Sequence, residues 1–283
     1  MKRTIAVLGG DLRQLHLAQL LQEDGWTVLT WGLEQADAPC AVSLDDALEA
    51  QYLVLPLPIC RGGQLNLPLT DRTISCEELW KRLRPKQVLL GGMVSSLPSA
   101  LRNDHRCTLL DYYDREEVQI YNAVPTAEGA ILRAMEKTNH TLQGSRCLVI
   151  GYGRIGKVLA HHLHALGAEV TVSARKRSDR AWITVYGYHA VPTENLVDHI
   201  GRYDIIFNTV PTLVLNAECL AKSKPNCLLM ELASLPGGMD VDAVKAYGLS
   251  MLVERGLPGV VAPKTSAEVI RDAIYHSLEE QGA

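Results

Sequence analysis

Gly151-Tyr152-Gly153-Arg154-Ile155-Gly156 places three glycines at the first, third and sixth positions of a turn. The apolar run Arg146 to Ile150 precedes it, and Ile155, Val158, Leu159, Leu163 and Leu166 recur after it at helical spacing. A strand, a glycine turn and an amphipathic helix in that order suit a dinucleotide. Gly151 permits the tight turn, Gly153 lets a pyrophosphate approach the backbone, and Gly156 lets helix pack on strand, with the helix N-terminus facing the phosphate charge. The alternative is a turn of the same shape that carries no nucleotide.

The strand that follows, Glu169 to Ser173, ends where an NAD site presents an acidic residue to the ribose hydroxyls. This chain instead reads Ser173-Ala174-Arg175-Lys176-Arg177, with Arg175 standing 24 residues beyond Gly151. A guanidinium there holds a 2′-phosphate by paired charge-assisted bonds, whereas a carboxylate would repel it. NADP rather than NAD is therefore the expected cofactor; a solvated basic turn is the plain alternative.

An earlier turn, Gly9-Gly10-Asp11-Leu12-Arg13-Gln14, has the same topological place but different chemistry. A carboxylate at a helix N-terminus is favoured by the helix dipole, yet it repels a phosphate bound there. Asp11 with Arg13 suits a small ligand carrying donors and a carboxylate, with Arg13 as clamp. Asp11 serves equally well as a plain N-cap.

These turns need sheets to hold them. Thr4 to Leu8, the helical Leu12 to Gln22 and the run Trp26 to Trp31 form a βαβ opening. Apolar runs at Tyr52 to Leu57, Gln87 to Leu90 and Cys107 to Tyr112, with a helix start at Ser75-Cys-Glu-Glu78, continue an open, largely parallel sheet. Pro125-Thr126 introduces a helical segment, Glu128 to Thr138, that crosses to a second domain. Runs at Ile205 to Val210, Leu228 to Leu232 and Ser250 to Val253 complete that domain's sheet. A capping box at Thr265-Ser-Ala-Glu268 opens a terminal amphipathic helix bearing Val269, Ile270, Ile274 and Leu278. The expected architecture is α/β: two Rossmann-like, doubly wound parallel-sheet domains, with the C-terminal helix returning to the first. The expected bounds are 1–125 with 265–283 for a substrate domain, and 126–264 for the linking helix and cofactor domain.

Composition agrees with this class. At 283 residues, 47% hydrophobic and 21% charged, the chain can bury two cores, and Phe207 is its one phenylalanine. A formal net charge of −4 removes the basic footprint of nucleic-acid or anionic-membrane binding. Cys40, Cys60, Cys76, Cys107, Cys147, Cys219 and Cys227 show no C-x-x-C spacing, so reduced thiols in a cytoplasm are expected rather than disulfides or zinc. No apolar run reaches the ~18 residues of a membrane span. His161, His162 and His164 share a helix with no acid or thiol to complete a ligand set, so no metal is expected.

Six segments in order resemble the A-subunit family of dipicolinate synthase over nearly the full length: Gly9 to Gln14; Asn122 to Ile131; Gly151 to Gly156 followed by Ser173-Ala174-Arg175; Asn208-Thr209-Val210-Pro211; Leu232 to Gly238; and Gly256 to Thr265. The second half also resembles, more distantly, the nucleotide domains of alanine dehydrogenase, 2-hydroxyacid dehydrogenases and adenosylhomocysteinase. The resemblance implies oxidation of a cyclic imine dicarboxylate, 4-hydroxy-tetrahydrodipicolinate or its dehydrated form, to dipicolinate. It implies hydride transfer to a nicotinamide, a branch from the lysine pathway, and the mother cell of a spore-forming bacterium. It also implies a flavoprotein-like B subunit, and we expect self-association as well.

Such a substrate needs cationic or N–H partners for two carboxylates and a base to take a proton as hydride leaves. In open α/β sheets these groups follow the strands. Asp11, Arg13, Thr126 and Ser234 are the expected substrate ligands, with the helix start at Thr126 offering its N–H groups to one carboxylate. The expected site is a cleft between the domains, bordered by the Gly256 to Thr265 loop. Lys264 and Glu128 are the candidates for proton transfer, although an exposed lysine and a dipole-complementing glutamate explain them as well. The cofactor set is Gly151, Tyr152, Gly153, Arg154, Ile155, Gly156, Ser173, Ala174, Arg175, Lys176, Asn208, Thr209, Val210 and Pro211. Two alternatives stay open: a 2-oxo or 2-hydroxy acid dehydrogenase of related architecture, and a nucleotide-binding scaffold whose partner does the chemistry.

Overall fold

The computed structural model describes residues 3–35 and 37–282. It divides into two compact units, Met1–Tyr121 with Ala262–Ala283, and Asn122–Val261. Each is a parallel sheet with its own core.

The strands of the first unit are β1 (Thr4–Leu8), β2 (Thr27–Trp31), β3 (Tyr52–Val54), β4 (Cys60–Arg61), β5 (Gln64–Leu65), β6 (Val88–Gly91) and β7 (Thr108–Asp111). Five of them form a parallel sheet in the order β2-β1-β3-β6-β7, and β4 with β5 makes a small separate hairpin. The strand order reverses beside β1, so the carboxyl end of β1, where Gly9 and Gly10 lie, is the crevice in which such sheets take ligands. One face carries Ala6, Leu8, Leu53, Leu55 and Leu79. On the other, Ile5, Val7 and Leu17 pack in one cluster with Ile270, Ile274 and Leu278 of the terminal helix Pro263–Glu280. The C-terminal helix thus returns to the N-terminal sheet because its apolar stripe finds its cover there.

The strands of the second unit are β8 (Arg146–Ile150), β9 (Glu169–Ala174), β10 (His189–Pro192), β11 (Ile205–Asn208), β12 (Leu228–Glu231) and β13 (Ser250–Val253). All six are parallel, in the order β10-β9-β8-β11-β12-β13. Near-continuous Val, Ile and Leu in β8, β11 and β12 reflects burial on both faces, one cluster around Val149 and Phe207 and the other around Leu148 and Ile206.

Three local expectations are corrected. The linking helix is Glu116–Lys137, with Pro125 inside it rather than at its start. Proline removes one helical N–H, but Ala127, Ala130, Ile131 and Ala134 bury a stripe that keeps the helix continuous. Thr126 and Glu128 are therefore mid-helix and offer no free N-terminal N–H groups. The terminal helix begins at Pro263 after Ala262, with no side-chain cap, so Thr265 lies inside it and makes no capping box. Finally, much of Gly256 to Thr265, expected as a loop, is helical, since Leu257–Val261 forms a short helix ahead of the terminal one.

Candidate functional site

The two glycine turns follow the first strand of each sheet, and their surroundings differ. In the second unit Gly151 holds φ at 100°, in the region that favours glycine, and its N–H donates to the Ser173 carbonyl at 2.9 Å. A Cβ on Gly156 would overlap the Gly151 carbonyl oxygen, so only glycine lets this helix sit so close. Gly153 is the N-cap of the helix Arg154–Ala165 and no side chain caps it; a Cβ on Gly153 would meet nothing within 4 Å. The helix entrance is thus open and keeps its N-terminal dipole for an anion. Tyr152 lies beneath the Lys157 ammonium, 5.5 Å from its ring centroid, Arg154 is exposed, and Ile155 packs on the core.

At the end of β9, Ser173 is fully buried, its Oγ 3.1 Å from Thr193 Oγ1, and Ala174 is buried. Arg175 and Lys176 are exposed, and the Arg175 side chain has no ion pair among the described residues. The Arg180 guanidinium donates to the carbonyls of Ala174 at 3.0 Å and Arg175 at 2.6 Å, which fixes the backbone of this basic turn. Thr209 Oγ1 donates to the Ile150 carbonyl at 2.8 Å and lies against Gly151. Val210 is half-buried and Pro211 exposed beyond it.

Asn208 belongs to a feature that sequence reasoning missed. It faces Glu231 across the β11–β12 ladder. Glu231 is 3% exposed; its Oε1 accepts from Asn208 Nδ2 at 2.8 Å and the Ala233 N–H at 3.0 Å, and its Oε2 accepts from the Gly238 N–H at 2.8 Å. A charged residue ending the run Leu228-Leu229-Met230-Glu231 was the available signal, since a central strand rarely buries a carboxylate without use for it. Ser234 sits exposed on the loop this carboxylate holds, and its carbonyl accepts from the Gly237 N–H.

The first unit's turn is closed by its own chain. The Gly10 N–H donates to the Asn66 carbonyl at 2.9 Å, and Cβ atoms on Gly9 and Gly32 would overlap Leu67 Cδ2 or crowd it. Asp11 caps the helix Leu12–Glu23 in a capping box with Gln14. Arg13, 6% exposed, grips both Asp11 oxygens at 2.9 and 2.8 Å and donates to the Leu57 carbonyl at 2.7 Å. Burial opposes the Arg13 charge, but the bonds and charge of Asp11 outweigh it and hold its pKa above the ordinary value. A ligand carboxylate reaching Arg13 would compete with Asp11. Behind the pair, Gln14 Nε2 donates to the buried Tyr112 hydroxyl, which donates to the Leu55 carbonyl.

Of the remaining candidates, Thr126 Oγ1 donates to the Asn122 carbonyl at 2.7 Å. Glu128 and Lys264 are exposed and make no ion pair among the described residues. Among those residues no helix is long and apolar enough to cross a membrane.

Residues 4–113 match the family described as the N-terminal domain of the dipicolinate synthase A subunit, and residues 115–234 match the D-isomer specific 2-hydroxyacid dehydrogenase NAD binding domain. The chain is 31% identical over 284 residues to the dipicolinate synthase A subunit of Bacillus subtilis strain 168, spanning 98% of this chain and 96% of that protein. The crystal structure of the dipicolinate synthase A subunit from Bacillus halodurans superposes with a TM-score of 0.90 at 29% identity, over 98% of this chain and 97% of that one. The crystal structure of its Bacillus subtilis counterpart gives 0.86 at 30% identity, over 99% and 97%.

Proposed function

The chain belongs to the A-subunit family of dipicolinate synthase and is an oxidoreductase with a nicotinamide-binding domain, and on that premise we propose that it makes dipicolinate with NADP as oxidant. The substrate is the cyclic imine 4-hydroxy-tetrahydrodipicolinate or its dehydrated form. Loss of water and removal of one hydride and one proton from the ring leave the aromatic dicarboxylate. NADP supplies the hydride acceptor.

What this chain contributes follows from its residues. The uncapped entrance at Gly153 and Arg154 receives the pyrophosphate, and Arg175 with Lys176 pairs with the 2′-phosphate on a turn that Arg180 holds still. The single observation that carries the NADP reading is the Arg175 guanidinium, without an ion pair among the described residues, at the end of β9, where NAD sites carry an acid. For the substrate we propose Ser234, Thr126 and Lys264 as polar partners, Lys264 giving a carboxylate a charge that no described group neutralises. Glu128 is proposed as proton acceptor, an exposed carboxylate without an ion pair among the described residues. Asp11 and Arg13 are committed to each other, so we propose that they shape the first turn and that Arg13 meets a substrate only by leaving Asp11. In domain terms, the C-terminal unit is proposed as the NADP unit and also carries Thr126, Glu128 and Ser234, while Lys264 and the Asp11–Arg13 pair belong to the N-terminal unit, proposed as the substrate unit.

The relatives are named as A subunits; by that reading this chain works with a B subunit, proposed to be flavoprotein-like, in the mother cell of a spore-forming bacterium. The experiment mixes the purified chain with the cyclic imine and NADP. Dipicolinate and NADPH formed in equal amounts by this chain alone support the enzyme, whereas turnover that appears only after a second protein is added places the chemistry there.

A further inference from the structure

We infer that Glu231 is a positioning residue for the nicotinamide half of the cofactor, acting through Asn208 and the loop from Ala233 to Gly238. The inference deepens the dinucleotide reading of the second unit and rests on it.

Strand order gives the direction. β8 carries the glycine turn; β9, on one side, ends in the basic turn for the adenosine half. A dinucleotide laid across the carboxyl ends of such a sheet runs its other half over the strands beyond the switch point, here β11 and β12. Asn208 ends β11 and Glu231 ends β12, directly paired in register.

The donor set then explains why the residue is an acid. Three donors converge on two oxygens: Asn208 Nδ2 and the Ala233 N–H on Oε1, and the Gly238 N–H on Oε2. A carboxylate accepts at both oxygens, whereas a glutamine has an acceptor at one end only and would turn an NH2 group against an N–H donor at the other. Burying an anion at 3% exposure is costly unless such donors surround it. The same bonds add to the β11–β12 ladder and to the Leu232 N–H bond to the Asn208 carbonyl at 2.9 Å, joining the strand ends to the loop. Asn208 Nδ2 also donates to the Val210 carbonyl at 2.9 Å, and its Oδ1 accepts from the Val210 N–H at 3.1 Å. Gly238 is pressed so close that a Cβ there would crowd Asn208 Nδ2 and the Val210 carbonyl oxygen. The ends of two strands and the loop bearing Ser234 are thereby one rigid wall, with a buried charge as its pin. Arg255 clasps the outside of the loop through the Ala233 carbonyl at 3.1 Å.

The test separates the cofactor's two halves. Affinities of the full-length wild type and Glu231→Gln are measured for NADPH and for 2′,5′-ADP, which carries the adenosine with its 2′- and 5′-phosphates and no nicotinamide half. The expected result is 2′,5′-ADP affinity within about twofold of wild type and NADPH affinity weaker by about tenfold or more, the loss typical of a misplaced hydrogen-bond set on a charged group. Glu231→Asp, which keeps both acceptor oxygens, is expected to recover part of the NADPH affinity, and it carries the same comparison if the glutamine variant does not fold. Parallel loss of both ligands would mean that Glu231 only holds the unit together, and unchanged NADPH affinity would mean that the wall is not part of the site; either overturns the inference. Wild type that binds neither ligand would overturn the dinucleotide reading itself, and this inference with it.

Discussion

The Gly9-Gly10 turn and the Gly151-to-Gly156 turn occupy the same place in two sheets of the same plan, yet one is filled and the other open. In the first, the anion at the helix N-terminus is the protein's own Asp11, and Leu67 lies where a ligand would approach the glycines. In the second, the helix has no side-chain cap and Gly153 faces open space. A glycine turn at a switch point is therefore a permission to bind phosphate, and the residues around it decide whether the permission is used.

The strongest way to break this comparison is Gly156→Ala. Its Cβ would strike backbone rather than a movable side chain, so the second unit is expected to lose about 3 kcal/mol and NADPH binding with it. Thermal unfolding with and without NADPH checks both. Asp11→Ala is expected to cost about 2 to 4 kcal/mol, since it removes a helix cap and leaves buried Arg13 without its anion. NADPH affinity should be unchanged, as measured by fluorescence titration; a large loss there would mean that the first turn touches the cofactor after all. Arg175→Ala is expected to weaken NADP by about 1.5 to 3 kcal/mol and leave NAD nearly as before, in parallel titrations. The smallest effect belongs to Leu67→Ala, about 1 to 2 kcal/mol for a half-buried leucine. It should create no second nucleotide site, because the Asp11 carboxylate remains; calorimetric stoichiometry checks this.

How much is legible in the sequence follows the same contrast. Periodicity and glycine spacing identify both sheets, the fingerprint turn and the amphipathic terminal helix, because these depend on local pattern, whereas the return of that helix to the first sheet follows from the resemblance to two-domain dehydrogenases. The start of the linking helix is not legible because Pro125 looks like a first-turn proline, and only the buried alanines on either side of it show that the helix continues. The Asp11–Arg13 pair lies within the turn, but the burial of Arg13 against the Leu57 carbonyl and the closure by Asn66 and Leu67 come from residues more than 40 positions away, which no window on the turn contains. For Glu231 the sequence shows a charge ending an apolar run, but not its bond to Asn208, which forms only once β11 and β12 pair.

The most direct test of the central claim is calorimetric titration of the full-length protein with NADPH and with NADH. The expected result is one NADPH per chain, bound at least about tenfold more tightly than NADH, the margin of one charge-assisted pair at Arg175. Equal affinity for the two cofactors, or two NADPH per chain, would contradict it.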